Sequence, residues 1–321
     1  MATQPLHVGV LFSDPRHGGA SEPATAALDR RSAVDLAQAI EALGHLSTLL
    51  PADDDLGLAL SLRGAQIDAC LIAAHGDLGG SGKLQEQLGR CAIPWVGAPA
   101  AAVALAYDKI RARERLARFN LPIPTGIACT RGAPPDRRGL HHLGWPCILK
   151  PRSGSLSSGL LRLHSSREVA DIALDEHHHG REILIERECD GIEVQVVVLG
   201  GRILGAMQIE RRPGALTGVT AMSCPPELSS SALDGLHHLA RHAAEALGLA
   251  DHLCRVDIMV SDRHNEQILE VEPLPPLNRD GVVARVARAA GLSYERLVAT
   301  LLAGVARPLY APTRVAVEAR A

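Results

Sequence analysis

Apolar runs and helical periodicities alternate along the first hundred residues. Residues 7–12, 46–50 and 69–74 are short apolar runs, and they predict buried strands. Segments with helical spacing lie between and after these strands, at residues 32–43, 56–63 and 83–91. Strands that alternate with helices form parallel β-α-β units. This part of the chain therefore predicts an open α/β sheet.

The helix expected from Ser32 has the clearest pattern among these segments. Val34, Ala37 and Ile40 recur at helical spacing, and the pattern stops at Gly44. Glycine is favoured just after a helix because it adopts the left-handed backbone conformation without steric cost. We therefore expect an amphipathic helix that ends at Gly44.

The pattern changes beyond a helical stretch at about residues 100–119. The following LPIPTG contains two prolines, which prevent helix continuation and predict a boundary or hinge. A helix predicted from Ser165 carries a capping box with Glu168. Short strands are predicted at residues 148–150, 160–163, 182–188, 193–199 and 203–210. Such strand density is typical of antiparallel meanders with helices on one face, an α+β arrangement.

The last third of the chain begins with an amphipathic helix at residues 231–247. Two segments, CRVDIMVSD and QILEVEP, then read as a hairpin-like pair of strands. Two further helices are expected before the end of the chain.

Charge and composition exclude several classes of protein. The 321 residues include 33 lysines and arginines against 36 acids, and no basic block indicates a nucleic acid or an anionic membrane as partner. The apolar stretch at residues 92–107 is interrupted by prolines and glycine, and the N-terminus lacks a secretory pattern. Seven scattered cysteines without C-x-x-C spacing indicate reduced thiols and a cytoplasmic location.

Lysine is rare in this chain. Among the 33 basic residues only Lys83, Lys109 and Lys150 are lysines. A specific task, such as a compact ammonium against a phosphate, is one explanation. Drift in a genome that favours arginine is the other. Directly after Lys150 comes RSGSLSSG, at residues 152–159, whose small residues would let a polyphosphate approach the backbone, although such runs also form ordinary hairpin loops.

Three acids stand among apolar residues on the predicted strand pair. Asp257 and Glu270 lie on neighbouring strands, and Glu272 shares the face of Glu270 because it is two residues away. Three carboxylates buried together would repel one another unless a cation such as Mg²⁺ joined them. An exposed sheet face with ordinary charges is the alternative. Arg255 shares the face of Asp257 and would either screen the carboxylates or stabilise negative charge that develops in a reaction.

His75 follows the strand predicted at residues 69–74 and begins the glycine-rich HGDLGGSG. Ligands of open α/β sheets bind at the carboxyl ends of strands, so His75 is a candidate ligand contact. A turn histidine exposed to water is the alternative. The chain lacks G-x-G-x-x-G after its first strand, which argues against a dinucleotide-dependent dehydrogenase.

Five segments in the same order resemble the ATP-grasp enzymes, and among them the D-alanine–D-alanine ligase family. They are HGDLGGSGKLQ, AYDKIRARERLARFNLPIPTG, GWPCILKPRSGSLSSG, REILIERECDGIEVQVVVLGG and CRVDIMVSDRHNEQILEVEPLPPL. The resemblance covers nearly the whole chain. It implies an ATP-grasp fold, α/β and α+β, in which an open N-terminal α/β domain (1–98) precedes a central subdomain with a phosphate lid (99–180) and a C-terminal subdomain with the metal site (181–321).

The resemblance also implies roles for single residues. Lys109 and Lys150 would bind the phosphates of ATP, and Arg255 and Ser157 would act in catalysis. The remaining roles are the adenosine contacts Glu186, Glu193, Met259 and Leu269, the Mg²⁺ or Mn²⁺ ligands Asp257, Glu270 and Glu272, and the substrate contacts Glu22, His75 and Gly281. The implied reaction phosphorylates a carboxylate, and an amine then displaces the phosphate to form an amide.

The chain departs from the family pattern mainly on the amino-acid side. Glu272 replaces the asparagine that binds metal in the family, and Glu22 lies one residue earlier than the acid it would match. The segment between Ile209 and Cys224 is short and contains neither the tyrosine nor the lysine of the family's closing loop. The other departures are Gly79, Gly80, Ser81 and Gly82 after the histidine, Leu156 in the lid, and Pro276 near Gly281.

The sequence therefore favours an ATP-dependent ligase that accepts something other than two D-alanines. Two alternatives stay open: a genuine D-alanine–D-alanine ligase that tolerates these changes, and a catalytically lapsed protein that binds ATP for regulation. We expect small, amino-acid-like substrates and neither nucleic acid nor membrane as a partner. The resemblance is compatible with a homodimer, since members of the family are commonly dimeric.

Overall fold

The computed structural model describes residues 4–14, 23–52, 56–129, 137–154, 159–169, 182–212, 214–261 and 265–305. Within these ranges the chain forms three β-sheets with helices packed against them. No helix in these ranges is long and apolar enough to cross a membrane.

The first sheet is parallel, as predicted, with strand order β2-β1-β3-β4. Its strands are β1 (His7–Ser13), β2 (Leu46–Ala52), β3 (Ala69–Ile72) and β4 (Trp95–Val96). Its helices are α1 (Pro23–Ala42), α2 (Leu56–Gly64), α3 (Gly76–Gly80) and α4 (Lys83–Arg90). The prediction that residues 46–50 are a buried strand was wrong in one respect: β2 lies at the sheet edge, so Leu46 is 62% exposed.

Helix α1 begins nine residues before the predicted start. Pro23 is its first residue, a position that proline favours because the N–H it lacks would have no partner there. The predicted face was also wrong in part, because Val34 is exposed while Leu36 and Ile40 are fully buried. The end of the helix was predicted correctly, since Gly44 follows it with φ of +82°.

The helix expected at residues 100–119 consists of two helices, α5 (Ala100–Tyr107) and α6 (Lys109–Arg118). Asp108 separates them with extended backbone angles and caps α6, since its side chain accepts a hydrogen bond from Arg111 N at 3.1 Å. The break matters because it places Lys109 in the first turn of a new helix.

The middle sheet is antiparallel, with strand order β5-β8-β6-β7. Its elements are β5 (Gly126–Cys129), α7 (Arg137–Leu143), β6 (Cys147–Pro151), β7 (Leu161–Leu163) and β8 (Ile183–Arg187). The sequence did not predict β5 or α7. Ser165 caps the predicted helix, since its Oγ accepts from Glu168 N at 3.4 Å, but the return bond of the predicted capping box is shifted by one residue: His164 N donates to Glu168 Oε2 at 3.1 Å.

The third sheet is also antiparallel, with strand order β11-β10-β9-β12-β13. Its strands are β9 (Ile192–Leu199), β10 (Arg202–Arg211), β11 (Val219–Ser223), β12 (Cys254–Val260) and β13 (Gln267–Glu272), and its helices are α8 (Ser230–Ala246), α9 (Val282–Ala289) and α10 (Tyr294–Val305). The predicted pairing of the last two strands is confirmed.

Side-chain alternation along β9 divides the third sheet into an apolar and a partly polar face. Val194, Val196 and Val198 are buried in the core that includes α8. Val197, on the opposite face, belongs to the core that includes α9. Glu193 lies on this second face toward the other end of the strand, so one end of the face is apolar and the other is polar.

Candidate active site

A pocket of about 560 Å³ lies between the middle sheet and the polar end of the third sheet. This volume is in the range of sites for small molecules. The residues of the pocket that the sequence singled out are Lys109, Lys150, Glu186, Glu193, Arg255, Asp257, Met259, Leu269 and Glu270. The fold therefore brings these nine candidates to one place.

The floor of the pocket is the antiparallel pair β12 and β13. Asp257 lies opposite Glu270, and Arg255 lies opposite Glu272, so all four side chains share one face. The register shifts just after Asp257, because the next pair joins Ile258 to Ile268. Leu269 is the extra residue of this bulge, which explains how both it and Glu270 line the pocket.

Arg255 and Asp257 form a buried ion pair. Arg255 Nε and Nη2 donate to the two carboxylate oxygens of Asp257 at 2.6 and 2.7 Å, and Nη2 lies 3.6 Å from Glu270 Oε1. Burial raises the pKa of Asp257 to about 6, against the opposing effect of Arg255. Burial also acts on Glu270, but the charges of Lys109, Arg255 and Lys150 outweigh it and lower its pKa.

Asp257 and Glu270 have the chemistry that a hard divalent cation requires. Mg²⁺ is commonly held by one or two carboxylates together with phosphate oxygens, and these two carboxylates face the pocket from opposite strands. No three His, Cys, Asp or Glu side chains of the described ranges are grouped so that they could hold a metal by themselves. The pair thus fits a cation that shares its coordination with a ligand.

Glu272, the third predicted metal ligand, lies two residues from Glu270 on the same face, opposite Arg255. Its Oε1 accepts a hydrogen bond from Leu274 N at 3.1 Å, and it does not line the pocket. The charge of Glu272 acts on His75 and raises the pKa of the imidazole, as the charge of Asp29 does. Glu272 therefore lies between the carboxylate pair and the histidine.

The two lysines lie at the pocket with different partners. Lys109 Nζ donates to the carbonyl oxygen of Gly154 at 2.5 Å. Lys150, on β6, has its ammonium 2.6 Å from Glu186 Oε2. Burial would lower the pKa of Lys150, but Glu186 outweighs this effect and the pKa is raised, so the lysine remains charged at neutral pH.

The two glutamates predicted to bind adenosine are both paired within the chain. Glu186 is 4% exposed and also accepts from Arg113 Nη1 at 2.7 Å. Glu193 accepts from Gln195 Nε2 at 2.8 Å and from both terminal nitrogens of Arg211. A ligand at either glutamate would have to share its oxygens with these partners.

His75 is buried against α1 and is not a turn histidine in water. Its backbone N–H donates to Asp29 Oδ2 at 2.9 Å, and its Nδ1 lies 2.5 Å from Asp29 Oδ1. Burial lowers the pKa of His75, but the hydrogen bond and the charge of Asp29 outweigh it and raise the pKa above its usual value. Nε2 is buried and has no hydrogen-bond partner among the described residues.

Comparisons with known proteins agree with this geometry. A family model described as the D-ala D-ala ligase C-terminus matches residues 134–303, more than half of the chain. The D-alanine–D-alanine ligase of Geotalea uraniireducens is 30% identical over 313 residues, which cover 93% of this chain and 95% of that protein. This chain belongs to the D-alanine–D-alanine ligase family.

Further relatives and solved structures of D-alanine–D-alanine ligases are similar over nearly the full length. The enzyme of Anaeromyxobacter dehalogenans is 29% identical over 299 residues, which cover 90% of this chain and 95% of that protein. The crystal structure of the Bacillus anthracis enzyme complexed with ATP matches with a TM-score of 0.80 at 20% identity, covering 94% of this chain and 98% of that one. The predicted ATP-grasp fold is therefore confirmed.

Gly281, a predicted substrate contact of the D-alanine–D-alanine ligase pattern, lies outside the pocket. It precedes α9, its N–H donates to Asn278 O at 2.9 Å, and a Cβ here would meet Asn278 Oδ1 at 2.7 Å. The segment is fastened to α1, because Arg279 N donates to Asp35 Oδ2 at 2.9 Å and Arg31 pairs with Asp280. Ser157 and Glu22 lie outside the described residues.

Two glycines have a packing reason in the segment after His75, which stands where the D-alanine–D-alanine ligase pattern has Gly-Glu-Asp-Gly. A Cβ at Gly79 would come within 1.7 Å of Ala74 O, and one at Gly80 within 2.4 Å of the Tyr107 ring. Larger side chains at these positions would displace the backbone at Ala74 or the half-buried ring of Tyr107. The departure therefore belongs to the local packing of α3.

Several residues of the site were missed by sequence reasoning. Asp29 carried a signal, because it interrupts a stripe at 3- and 4-residue spacing that includes the buried Ala33 and Leu36. Arg211 lies one residue beyond the predicted strand at 203–210. Nothing in the sequence marked Arg113 as the partner of Glu186, since 73 residues separate them.

Proposed function

We propose that this chain is an ATP-dependent carboxylate–amine ligase with an amino-acid site different from that of an enzyme joining two D-alanines. The observation that carries the proposal is the single pocket in which Arg255, Asp257 and Glu270 meet Lys109 and Lys150. Three cations beside two carboxylates suit a ligand that carries several phosphates and a divalent cation. Family membership supports the same assignment.

The proposed reaction has two steps. First, a carboxylate oxygen of one substrate attacks the γ-phosphorus of ATP, the bond to the ADP oxygen breaks, and an acyl phosphate forms. The amine nitrogen of the second substrate then attacks the acyl carbon, inorganic phosphate leaves, and the nitrogen loses a proton. The products are an amide or peptide bond, ADP and phosphate.

The side chains of the pocket divide these tasks. Lys109 and Lys150 bind phosphate oxygens, and Lys150 remains charged because Glu186 stabilises its ammonium. Arg255 is held rigidly by Asp257 and stabilises the negative charge that develops on the reacting oxygens. Ser157, in the lid, would contact the reacting substrate.

Adenosine and the metal take the remaining positions. Glu186 and Glu193 accept hydrogen bonds from the adenine amino group and the ribose hydroxyls, while Met259 and Leu269 pack against the base. Asp257 and Glu270 would hold Mg²⁺ or Mn²⁺, which when bound neutralises the phosphate oxygens.

We assign Glu272 to the amino-acid side of the site. Its carboxylate does not line the pocket: it accepts from Leu274 N, and its charge interacts with His75 as well as with Arg255 and Glu270 at the floor of the pocket. The asparagine that the family has at this position would be neutral. Glu272 therefore adds a negative charge to this side of the site, in addition to that of Asp29. We propose on this basis that the amino-acid substrates are not both D-alanine, with His75, Gly281 and Glu22 as neighbouring substrate contacts.

A product screen tests the proposed function. The purified protein is incubated with ATP, Mg²⁺ and pairs from a panel of D- and L-amino acids, and phosphate release and product mass are measured. We expect turnover with pairs other than two D-alanines. Efficient formation of D-alanyl-D-alanine alone would leave a genuine D-alanine–D-alanine ligase, and ATP binding without turnover on any pair would leave a regulatory ATP-binding protein.

Arg255 provides a direct test of catalysis. Arg255→Ala should lower kcat by about a hundredfold or more, because a donor aimed at developing charge is lost, while ATP affinity changes only a few-fold. Arg255→Lys retains the charge and should recover part of kcat. Steady-state kinetics and calorimetry measure both quantities. An unchanged kcat in Arg255→Ala contradicts the assigned role.

Three further features are proposals of the same kind. We propose domains at residues 1–98, 99–180 and 181–321, although β8 pairs within the middle sheet. A cytoplasmic location is supported by the seven cysteines, all of which are free thiols. We also propose a homodimer, which sedimentation would test.

A further inference from the structure

The cationic side chains of the pocket differ in whether their N–H groups already have partners within the chain. Lys109 donates to Gly154, Lys150 pairs with Glu186, and Arg255 donates twice to Asp257. Arg211 is different. Its Nε is buried, and this N–H has no hydrogen-bond partner among the described residues.

A buried N–H without a partner is uncommon in a folded protein and calls for an explanation. Arg211 lines the pocket, so a small shift of its own side chain would present this N–H to a ligand while the core stays in place. A guanidinium stays charged at every physiological pH, which makes an anionic oxygen its preferred acceptor. The vacant donor thus indicates an anionic ligand group.

Strand geometry determines where this anionic group would lie. Arg211 ends β10 and follows Ile209 at the two-residue spacing that places both on the pocket face. Ile209 pairs with Glu193, and both terminal nitrogens of Arg211 donate to the Glu193 carboxylate. Arg211 is therefore fixed beside the proposed ribose contact.

The guanidinium also lies near the reacting end of the pocket. The charges of Asp257 and Glu270 stabilise it, and the charge of Arg255 opposes it, so Arg211 is within electrostatic reach of all three. Glu193 and Asp257 are themselves close, since Gln195 Nε2 donates to both, at 2.8 and 3.3 Å. A group bound at Arg211 would therefore adjoin both the proposed sugar contact and the metal carboxylates, which is the position of the phosphate chain of a nucleotide.

We propose that Arg211 is a phosphate-binding residue of the nucleotide site: its Nε–H donates to a phosphate oxygen while its terminal nitrogens remain on Glu193. The inference rests on the proposed function. Arg211 would supply a cation from the end of β10, and the segment between Ile209 and Cys224 contains no lysine that could do so. By bridging Glu193 and the phosphates, Arg211 couples ribose binding to phosphate position.

A purely structural role for Arg211 makes a different prediction. If the guanidinium only neutralised Glu193, its loss would disturb the ribose contact and weaken every adenosine-containing ligand alike. A phosphate contact affects only ligands that carry phosphates. Comparing ATP with adenosine therefore separates the two roles.

The experiment measures binding of Mg²⁺–ATP and of adenosine to the full chain, by calorimetry and by ligand-observed NMR competition. Arg211→Ala removes the Glu193 pair for both ligands but the phosphate contact for ATP alone, so ATP should weaken about ten- to a hundredfold more than adenosine does, as expected for loss of a charge-assisted hydrogen bond. Arg202→Ala, an exposed arginine at the other end of the same strand, is the matched control and should change neither.

A second variant keeps the test valid if Arg211→Ala does not fold. Arg211→Lys preserves the charge but cannot hold Glu193 and a phosphate together, so ATP should weaken several-fold with adenosine unchanged. Equal losses for ATP and adenosine, or no loss of ATP affinity, overturn the inference. If the wild-type chain itself does not bind ATP, the proposed function fails and this inference fails with it.

Discussion

Ion pairs within the chain hold the charged side chains of the pocket in place before any ligand arrives. Arg255 is fixed by the two hydrogen bonds that it donates to its own strand neighbour Asp257, and Lys150 is fixed by its ion pair with Glu186. Burying single charges is costly, whereas a paired charge can stay ionised in the interior. The pocket is therefore preorganised for a charged ligand, since the side chains need little reorientation.

The Asp29 and His75 pair gives a prediction at this scale. Asp29→Asn should lower the pKa of His75 below its ordinary value of about 6.5, because burial then acts without the opposing carboxylate. Titration of the imidazole signals by NMR measures the change. Asp251→Asn, at an exposed position, should leave the His75 signals unaltered. If the pKa of His75 stays raised in Asp29→Asn, the charge of Glu272 alone is sufficient to stabilise the protonated imidazole.

The same pair links stability to pH. A histidine whose pKa is raised by folding contributes stability that is complete below its unfolded pKa and is lost as pH rises through the folded value. The Tm of the wild type should therefore exceed that of Asp29→Asn most clearly below about pH 6. The difference should shrink at higher pH. A difference that grows with pH would contradict this linkage.

At the scale of elements, the break between α5 and α6 positions Lys109. Asp108 leaves the helical conformation, caps α6, and accepts hydrogen bonds from Arg152 Nε and Nη2 at 2.9 and 2.7 Å. Arg152 follows β6, the strand of Lys150. One carboxylate thus ties the start of α6 to the strand that carries the second lysine.

Asp108→Ala tests this connection. Loss of the cap should cost about 1 kcal/mol of stability, and the displaced Lys109 should weaken ATP several-fold. Asp108→Asn keeps the cap but loses the charge, so it should retain most of the stability at pH 7. Thermal unfolding and calorimetry measure the two effects. Equal stability of Asp108→Ala and wild type would contradict the capping role.

The stabilisation by Asp108 should depend on pH in a direction that follows from the shift of its pKa. Burial would raise the pKa of Asp108, but the hydrogen bonds from Arg152 and from Arg111 N outweigh it, so folding lowers the pKa. Its stabilisation is present above the ordinary aspartate pKa of about 3.9 and is lost as pH falls through the lowered folded value. The difference between wild type and Asp108→Ala should therefore be constant near neutral pH and become smaller in acid, where only the cap that the protonated side chain still provides remains.

The sequence predicted the type of most elements but not all of their bounds. Periodicity identified β12 and β13 as a pair because their apolar positions alternate. It could not find the break at Asp108, because helical spacing continues on both sides and the break depends on Arg152. It also missed β5, a strand of four residues with little apolar pattern.

At the scale of the whole molecule, the pocket depends on how the middle and third sheets face each other. Arg162, on β7, donates to Glu188 Oε2 through Nε at 2.7 Å and also to the carbonyl oxygen of Gly214, which follows β10. This arginine therefore connects the two sheets at the pocket. Both Arg162 and Gly214 line it.

Removing the Arg162 side chain should loosen the contact between the middle and third sheets at the pocket. Arg162→Ala is expected to raise both the association and the dissociation rate of ATP and to weaken affinity less than tenfold, because the walls are no longer joined. Stopped-flow binding and hydrogen exchange of residues 214–219 measure the effect. Arg167→Ala, an exposed arginine nearby, is the control. Unchanged rates would mean that the sheets are held by other contacts.

The candidate site was predictable where motif residues lie on one strand pair, and less so where partners meet across the fold. Asp257 and Glu270 were found because their strands are adjacent in sequence. The pair Glu193 with Arg211 joins two strands, and the pair Asp29 with His75 joins α1 to the segment after β3. Single-sequence periodicity contains no term for such long-range contacts.

The hydrogen bond from Arg279 N to Asp35 joins residues 244 positions apart, and Arg31 with Asp280 lies beside it. A chain leaves the ribosome N-terminus first, so α1 has emerged long before its partner loop exists. The contact between α1 and this loop therefore forms only once residues 279 and 280 have been made. A nascent or truncated product ending before residue 279 would lack this contact.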